Sequence, residues 1–395
     1  YYYYYILIIY RFYTNKNNLL IEEDIMNFTI EKEVFLKGLA RIQGIVEKRN
    51  TIPVLSNVLL EGVDGELCLT ATDLEVGMQS TYPAKIRKPG RITVSAKKLY
   101  EIIKELPDSE ISFNAKDNCW IEVECGKAQF NIVGLSADEF PNFPKPDKTS
   151  FISLKSSLCK EMIEKTFFAV SQDESKYNLN GIFCQLQEGT DQLRLVATDG
   201  HRLSMIDKTI EKTASDELNR GVILPRKGIL ELRKLAEEGD GNIQLGFMDN
   251  NAVVGKDQTV IIMRLVDGEF PDYGRVIPKS NEQQASIAVD PFLHALRRMI
   301  IVSSEKSRGV KMNLKDYLLE VSSSNPELGD AREELDVEYQ GPELSVGFNA
   351  RYLLDILQVQ DQDRINIILK DNLSPGLIKP VDDDGYLAVI MPMRL

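Results

Sequence analysis

The sequence predicts an α+β protein of three tandem, similar domains, each with two helices packed on antiparallel sheet. One observation is a repeat: LCLTATDLE (67–75) recurs as LRLVATDGH (193–201), so that Asp73 and Asp199 lie 126 residues apart. A further step of that length reaches Asn325 in LLEVSSSNPE (318–327), which has the same strand-then-polar-turn character. The other observation is periodicity, because apolar residues recur at helical spacing in some segments and alternate around Asp, Asn and Gly turns elsewhere.

Each copy of the repeat contains two helical patterns. In LYEIIKEL (99–106) the apolar residues stand at i, i+3, i+4 and i+7, which predicts one buried helix face. EVFLKGLARIQGIVEK (33–48) predicts the other helix of the first domain in the same way. VSAKKLYEIIKELPD (94–108) recurs at 224–240 and, more weakly, at 348–363. A short strand precedes the first helix of each copy, at 27–30, 151–154 and 286–289.

The domain boundaries follow from composition. Segments 141–150 and 278–285 are rich in proline and polar residues, as linkers are. We therefore expect domains at about 26–146, 150–278 and 284–395. Residues 1–25 hold five consecutive tyrosines and fall outside the repeat, so we expect a disordered or artefactual leader. A membrane or partner anchor is the alternative, although the apolar run of Tyr1 to Tyr10 is short for a membrane helix.

Charge limits the kinds of nucleic-acid binding that are possible. The 395 residues carry 47 Lys and Arg against 60 Asp and Glu, a formal net charge of −13 with a pI near 4.9. Domains that grip nucleic acid over their whole surface are usually basic. A local basic surface stays possible, because cations concentrate on the predicted helices, including Lys155, Lys160, Lys165, Arg233, Lys234, Arg297, Arg298 and Arg351.

Catalytic motifs are mostly missing from the sequence. The five cysteines show no paired spacing, which favours a reducing cytoplasm over a disulfide framework. With two histidines we predict no metal site, and no phosphate-binding glycine loop or GxSxG motif is present. The one candidate for acid–base chemistry is Asp199 with His201, and the alternative interpretation is a hairpin turn.

Residues 26–395 resemble the bacterial DNA polymerase III beta subunit family, the replicative sliding clamps. The resemblance rests on TIPVLSNVLLE (51–61), TATDLE (70–75), LNGIF (179–183), VATDGHRLS (196–204), LPRKGILEL (224–232), LVDGEFPDYGRVIP (265–278), VGFNARYLLDIL (346–357) and MPMRL (391–395). It implies the DNA clamp fold, with two chains closing head to tail into a ring around double-stranded DNA. It also implies a non-catalytic processivity factor without a cofactor.

The resemblance further implies partners and site residues. The partners are double-stranded DNA without sequence preference, a second copy in a homodimer, the DNA polymerase III catalytic subunit, an ATP-driven clamp loader, and other polymerases and repair proteins. The DNA-facing residues would be Arg49, Lys97, Lys98, Lys176, Tyr177, Arg226 and Lys227, with Asn178 where some members have a second aromatic residue. The dimer contact would pair Phe130 and Ile132 with Ile301 and Val302 of the second copy.

The last implied site is a pocket for a short peptide rich in Gln and Leu, through which the protein partners bind. It would be lined by Leu179, Thr198, Gly200, His201, Arg202, Leu203, Pro271, Arg275, Val276, Leu373, Pro375, Val389, Ile390, Met391, Pro392, Met393 and Arg394. We expect a cytoplasmic protein with no membrane partner. Two other functions stay open, namely a monomeric replication adaptor that does not encircle DNA and a hydrolase that uses Asp199 and His201.

Overall fold

The computed structural model describes residues 24–46, 52–144, 151–211, 215–278, 283–305 and 307–394. The chain divides into two compact units. The first unit holds Tyr1–Lys145 and Asp257–Ile261, and the second holds Pro146–Lys256 and Ile262–Leu395. The second and third predicted domains therefore share one unit. The predicted leader lies outside the described residues up to position 23, and the first strand begins at Asp24.

The first unit contains nine strands and two helices among its described residues. The strands are β1 (Asp24–Glu31), β2 (Asn57–Val63), β3 (Glu66–Thr72), β4 (Val76–Pro83), β5 (Lys85–Lys88), β6 (Gly90–Ser95), β7 (Glu110–Lys116), β8 (Trp120–Cys125) and β9 (Ala128–Leu135). The helices are α1 (Lys32–Ile42) and α2 (Ala96–Glu105). The strands pair antiparallel in the order β4-β3-β2-β6-β9-β8-β7-β1-β5.

Both helices of the first unit bury the face that the periodicity predicts. Leu39 on α1 and Leu99 and Ile103 on α2 are fully buried. The Ser95 hydroxyl caps α2 by accepting the backbone N–H of Lys98 at 3.4 Å. Helix α1 ends at Ile42, earlier than the predicted Lys48, and Gly44 in the following turn is a poor helix former.

The second unit contains the remaining strands and five helices of the described chain. The strands are β10 (Phe151–Lys155), β11 (Gly181–Leu186), β12 (Gln192–Thr198), β13 (Arg202–Thr209), β14 (Val222–Pro225), β15 (Asn242–Met248), β16 (Asn251–Lys256), β17 (Thr259–Arg264, counted here from Ile262), β18 (Gln283–Ala288), β19 (Gly309–Lys315), β20 (Leu318–Asn325), β21 (Gly329–Glu338), β22 (Leu344–Asn349), β23 (Arg364–Leu369), β24 (Gly376–Pro380) and β25 (Tyr386–Ile390). The helices are α3 (Ser156–Phe167), α4 (Asp216–Arg220), α5 (Arg226–Glu237), α6 (Val289–Val302) and α7 (Ala350–Leu357).

One twelve-stranded sheet runs through both domains of the second unit. Its order is β14-β11-β12-β13-β25-β24-β23-β18-β21-β20-β19-β22. Strands β13 and β25 join the two domains through five antiparallel residue pairs, from Arg202 opposite Ile390 to Ile206 opposite Tyr386. This pairing places the start of β13 beside the end of β25, where the candidate pocket lies.

The helices of the second unit match the prediction with one addition. Helices α3, α5, α6 and α7 occupy the predicted positions, and the short helix α4 was not predicted. The Ser215 hydroxyl caps α4 by accepting the backbone N–H of Leu218 at 3.3 Å. Within the described residues, none of the helices combines the length and the apolar character needed to cross a membrane.

Candidate functional site

A tight turn between β12 and β13, Thr198–Arg202, forms one wall of the candidate pocket, and we call it the pocket turn. Asp199 Oδ1 accepts the backbone N–H groups of His201 at 2.9 Å and Arg202 at 3.0 Å. Thr198 Oγ1 donates to the Arg202 carbonyl at 2.6 Å and accepts the N–H of Gly200 at 3.1 Å. Gly200 has a φ of 90°, a conformation that glycine adopts without steric cost. The Thr-Asp-Gly sequence therefore dictates the turn locally.

The Arg202 side chain ties this turn to the rest of the unit. Its Nε donates to Asp199 Oδ2 at 3.2 Å, its Nη1 to Asp355 Oδ2 at 2.6 Å and its Nη2 to the Phe168 carbonyl at 2.5 Å. The guanidinium lies 4.5 Å from the ring centroid of Tyr352, within cation–π range. Only 10% of the side chain is exposed, so its charge is balanced by the two carboxylates rather than by water.

The pocket itself is a cavity of about 130 Å³ beside the pocket turn. Its base is apolar because Leu203 on β13 lies opposite Val389 on β25, within a buried cluster of aliphatic side chains. The end of β25 is held to the turn, since the Met391 N–H donates to the His201 carbonyl at 2.9 Å. The lining combines Leu179, Thr198, Gly200, His201, Arg202, Leu203, Pro271, Asp272, Tyr273, Val276, Val389 and Met391.

The structure thus brings ten of the predicted pocket residues together in one cavity and leaves seven outside its lining. Those outside are Arg275, Leu373, Pro375, Ile390, Pro392, Met393 and Arg394. Ile390 is buried within β25, while Leu373 and Arg275 are largely exposed. The prediction missed Asp272 and Tyr273, which follow the FP pair of the repeated segment. Tyr273 packs against Phe183 and Phe270, a contact that the sequence could have suggested through its aromatic side chain.

The predicted DNA-facing residues fall into two groups, and Arg49 lies outside the described residues. Lys97 and Lys98 are exposed on the first turn of α2, and both pair with Glu101, at 3.8 and 2.9 Å. The hydrogen bond from Lys98 lowers the pKa of the Glu101 carboxyl. These two cations are therefore partly neutralised by their own helix.

The second group lies beside the pocket turn. The exposed Lys176 and Tyr177 stand in the loop before β11, where Lys176 Nζ donates to the Asp199 carbonyl at 3.3 Å. Arg226 begins α5, and its backbone N–H donates to the Asn180 carbonyl at 3.2 Å, which brings the helix start next to this loop. The Arg226 guanidinium lies 5.2 Å from the ring centroid of Phe167, and Lys227 follows it on the first turn of the helix.

Several helix cations that the sequence assigns to a basic surface are engaged with carboxylates instead. Lys165 is buried, with its Nζ 2.8 Å from Asp361 Oδ2 and 3.3 Å from Glu161 Oε1. Arg298 is bound by Glu333 through two hydrogen bonds. The expectation of an outward-facing Lys165 was wrong, because this side chain is buried and pairs both with Glu161 on its own helix and with the distant Asp361.

The predicted dimer residues lie on exposed apolar surface. On β9, Phe130 is exposed and Ile132 is partly buried. At the end of α6, Ile301 is 74% exposed and Val302 is partly buried. Such side chains at a strand and a helix terminus are available for contact with another chain.

The pocket turn does not provide the geometry of a hydrolytic site. Both oxygens of the Asp199 carboxylate are engaged, one by backbone N–H groups and the other by Arg202. The His201 ring stacks on Tyr352 with the centroids 6.4 Å apart. Across the described parts of the chain, no group of three His, Cys, Asp or Glu side chains could hold a metal ion.

Comparison with protein families matches the chain in three consecutive parts. The models described as the DNA polymerase III beta subunit N-terminal, central and C-terminal domains match residues 26–144, 153–272 and 274–394. The chain belongs to the DNA polymerase III beta subunit family. It is therefore built from three tandem clamp domains, and the fold predicted from the repeat is confirmed.

Individual relatives agree with this family. The beta sliding clamp of Pseudomonas aeruginosa is 38% identical over 371 residues, covering 94% of this chain and all of that protein. The beta sliding clamp of Escherichia coli is 35% identical over 372 residues with the same coverage. Among solved structures, a sliding clamp of Pseudomonas aeruginosa has a TM-score of 0.85, and a Bartonella birtlesii clamp bound to griselimycin has one of 0.88 at 35% identity. Each of the two structures covers 94% of this chain.

Proposed function

We propose that this chain is the sliding clamp of a replicative DNA polymerase, a homodimeric ring that encircles duplex DNA and binds protein partners through the pocket. The observation that carries the proposal is the strand pairing of β13 with β25, which joins two clamp domains edge to edge. In the described part of the chain, the corresponding strands β21 and β9 each keep a largely unpaired edge. Repeating the same junction between two copies closes a ring.

The open edges are β21 and β9. Strand β21 follows the Asn325 turn of the third domain, as β13 follows the pocket turn of the second. Among the described residues, it pairs with β18 through Val337 and Glu338 alone. Strand β9 is the last strand of the first domain, as β25 is of the third, and it pairs with β6 only through Gly134 and Leu135. Unpaired strand edges readily accept a strand from another chain.

We infer that β9 of one copy pairs with β21 of the second copy. Phe130 and Ile132 would then pack against Ile301 and Val302, since α6 packs on β21 through the Arg298–Glu333 pair. This head-to-tail contact would use two different surfaces, and it closes into a ring of two copies when the rotation between them is a half turn.

A ring explains how a chain of net charge −13 can act on DNA. Topological linkage needs little affinity, so weak phosphate contacts without base readout are enough and allow sliding. Lys97, Lys98, Arg226 and Lys227 begin helices, and Lys176 and Tyr177 lie next to Arg226. We propose these residues as the phosphate-facing surface, and the acidic remainder would keep DNA off the outer surface.

The pocket supports a role in recruiting partners. Its apolar base and the flexible side chain of Met391 suit a peptide with large aliphatic side chains, and a methionine can adapt to different peptides. We propose that the polymerase, the clamp loader and repair proteins insert a peptide rich in Gln and Leu here. The protein would then act without catalysing a reaction, in the cytoplasm where chromosomal DNA is copied.

The proposal is tested by loading the protein onto nicked circular plasmid with a clamp loader and ATP, isolating the complex and linearising half of it. A topological link predicts retention on circles and loss from linear molecules. Equal retention on both, weakening only with salt, would favour the monomeric adaptor, as would a solution mass near that of one 44.7 kDa chain at micromolar concentration.

A further inference from the structure

The carboxylate of Asp355 on α7 is shared between a buried and an exposed arginine. Its Oδ2 accepts from Arg202 Nη1 at 2.6 Å, and its Oδ1 lies 3.4 Å from Nε of Arg351. The side chain of Arg351 is 70% exposed, against 10% for Arg202. Asp355 lies outside the pocket lining, yet it contacts the residue that fixes the pocket turn.

Arg202 transmits this contact to the pocket through its own backbone. Its carbonyl accepts the Thr198 hydroxyl, and its neighbours His201 and Leu203 both line the cavity. Without Asp355 the guanidinium keeps only one carboxylate, that of Asp199, which lies on the same turn. The turn would then lose its charged link to the third domain.

We propose that Asp355 is a positioning residue for the peptide pocket, and that a phosphate group bound at Arg351 strengthens peptide binding by leaving Asp355 entirely to Arg202. This inference rests on the proposed function, since it assumes that peptides occupy the pocket and that duplex DNA supplies the phosphate. It links the exposed Arg351 on α7 to the partner site.

The direction of the effect follows from competition for one carboxylate. In the free protein, Arg351 draws on Asp355 and weakens its hold on Arg202. A phosphate that takes up Arg351 removes the competitor, so the pocket turn is held more firmly and less conformational freedom is lost when a peptide binds. The gain in peptide affinity cannot exceed the free energy of the Arg351–Asp355 ion pair. Exposed i,i+4 ion pairs are weak, and their free energy corresponds to about a twofold change in affinity.

The test is a titration of the full-length protein with a fluorescein-labelled peptide rich in Gln and Leu, with and without a saturating short DNA duplex at low salt. We expect the duplex to tighten peptide binding to the unmodified protein by about twofold. Arg351→Gln should bind the peptide about twofold more tightly from the start and should no longer respond to the duplex. Asp355→Asn should bind about tenfold more weakly and should also be insensitive to the duplex, because a charged hydrogen bond to Arg202 is lost.

Matched variants make the test decisive. Arg297→Gln removes another exposed cation, on α6 of the same domain, and should keep the duplex effect. Asp355→Glu, which retains the charge, should recover part of the affinity lost in Asp355→Asn, and circular dichroism checks that each variant is folded.

The outcomes separate the two proposals. Asp355→Asn with unchanged peptide affinity would overturn the positioning role. A duplex effect that survives Arg351→Gln, or that disappears in Arg297→Gln instead, would overturn the link through Arg351. If the unmodified protein binds no such peptide, the pocket assignment in the proposed function fails.

Discussion

The pocket turn and its counterpart in the first unit, Thr72–Val76, share a backbone and differ in what their side chains reach. In the first-unit turn, Asp73 Oδ1 accepts the N–H groups of Glu75 at 2.9 Å and Val76 at 2.6 Å. Thr72 Oγ1 accepts the N–H of Leu74 at 3.0 Å. These are the same bonds that Thr198 and Asp199 make in the pocket turn.

The difference lies in the last residue of each turn. Val76 is fully buried and contributes only to its local core, whereas Arg202 at the same place binds Asp355 and the Phe168 carbonyl. A Thr-Asp turn is therefore enough to build the hairpin. In the pocket turn, which borders the cavity, the last side chain also contacts groups from elsewhere in the chain.

The largest effect is expected from deleting residues 391–395. These residues follow β25, and Met391 lines the cavity beside the pocket turn. The Met391 N–H bond to His201 and the apolar Met391 side chain would be lost, so peptide binding should disappear. Fluorescence anisotropy with the labelled peptide measures this loss. Size-exclusion chromatography should show an intact dimer, and a dissociated dimer would mean that the tail belongs to a subunit contact instead.

Replacing the aspartate of each turn in turn should destabilise the protein more at the pocket turn than at the first-unit turn. Asp199→Ala should cost about 3 kcal/mol, because it also leaves the mostly buried Arg202 with one carboxylate fewer. Asp73→Ala should cost about 1 to 2 kcal/mol, for the backbone hydrogen bonds of its turn. Urea unfolding of both variants measures the difference. Equal losses would show that Arg202 adds nothing to the pocket turn.

A smaller contrast is expected at the third position of each turn, where φ is positive in both. Gly200→Ala should destabilise the protein by about 1 kcal/mol through backbone strain alone, since the nearest atom to the new Cβ is Lys176 Nζ at 3.9 Å. Leu74 already has a φ of 79°, and in Leu74→Gly the relief of strain is offset by the greater freedom of the unfolded chain. Thermal melts should therefore shift for Gly200→Ala only, and a shift for both would contradict this view.

The smallest effect concerns acid stability at a third turn of this kind. Hydrogen bonds from the N–H groups of Leu373 and Ser374 lower the pKa of the Asp371 carboxyl. A lowered pKa contributes stability above the unfolded value of about 4, and this stability is lost as the pH falls through the folded pKa. Asp371→Asn should slightly lower the unfolding free energy at neutral pH and flatten its fall between about pH 4 and pH 2, so that the variant and the unmodified protein converge at the acid end. If the unfolding free energy of the variant falls with acid as steeply as that of the unmodified protein, Asp371 does not contribute to acid unfolding.

The helices and hairpin turns that depend on local residue patterns were predictable from the sequence. The six main helices and the Thr-Asp turns follow from apolar spacing and from residues that hydrogen-bond their own backbone. Helix α1 is shorter than predicted, because the apolar pattern continues past Gly44 although the helix does not. In the turn at Asn325, the side chain still accepts the N–H of Glu327. The loop is one residue shorter, because Asn325 pairs with Gly329 whereas Thr198 pairs with Leu203.

Contacts between distant residues were not predictable in this way. The partner of Arg202, Asp355, lies 153 residues away and follows no spacing rule. The ion pair between Lys165 and the distant Asp361 was unpredictable for the same reason. The resemblance to the clamp family located much of the pocket lining, since it carries three-dimensional information that one sequence lacks. It did not indicate how the pocket turn is held.

The continuous sheet of the second unit also has a thermal consequence. Because β13 and β25 exchange main-chain bonds, neither the central nor the C-terminal domain can lose its sheet without exposing an edge of the other. The two domains should therefore give one heat-absorption peak in calorimetry, and their amide protons at the junction should exchange with solvent at a common rate. We therefore expect the three structural repeats to melt in fewer than three steps.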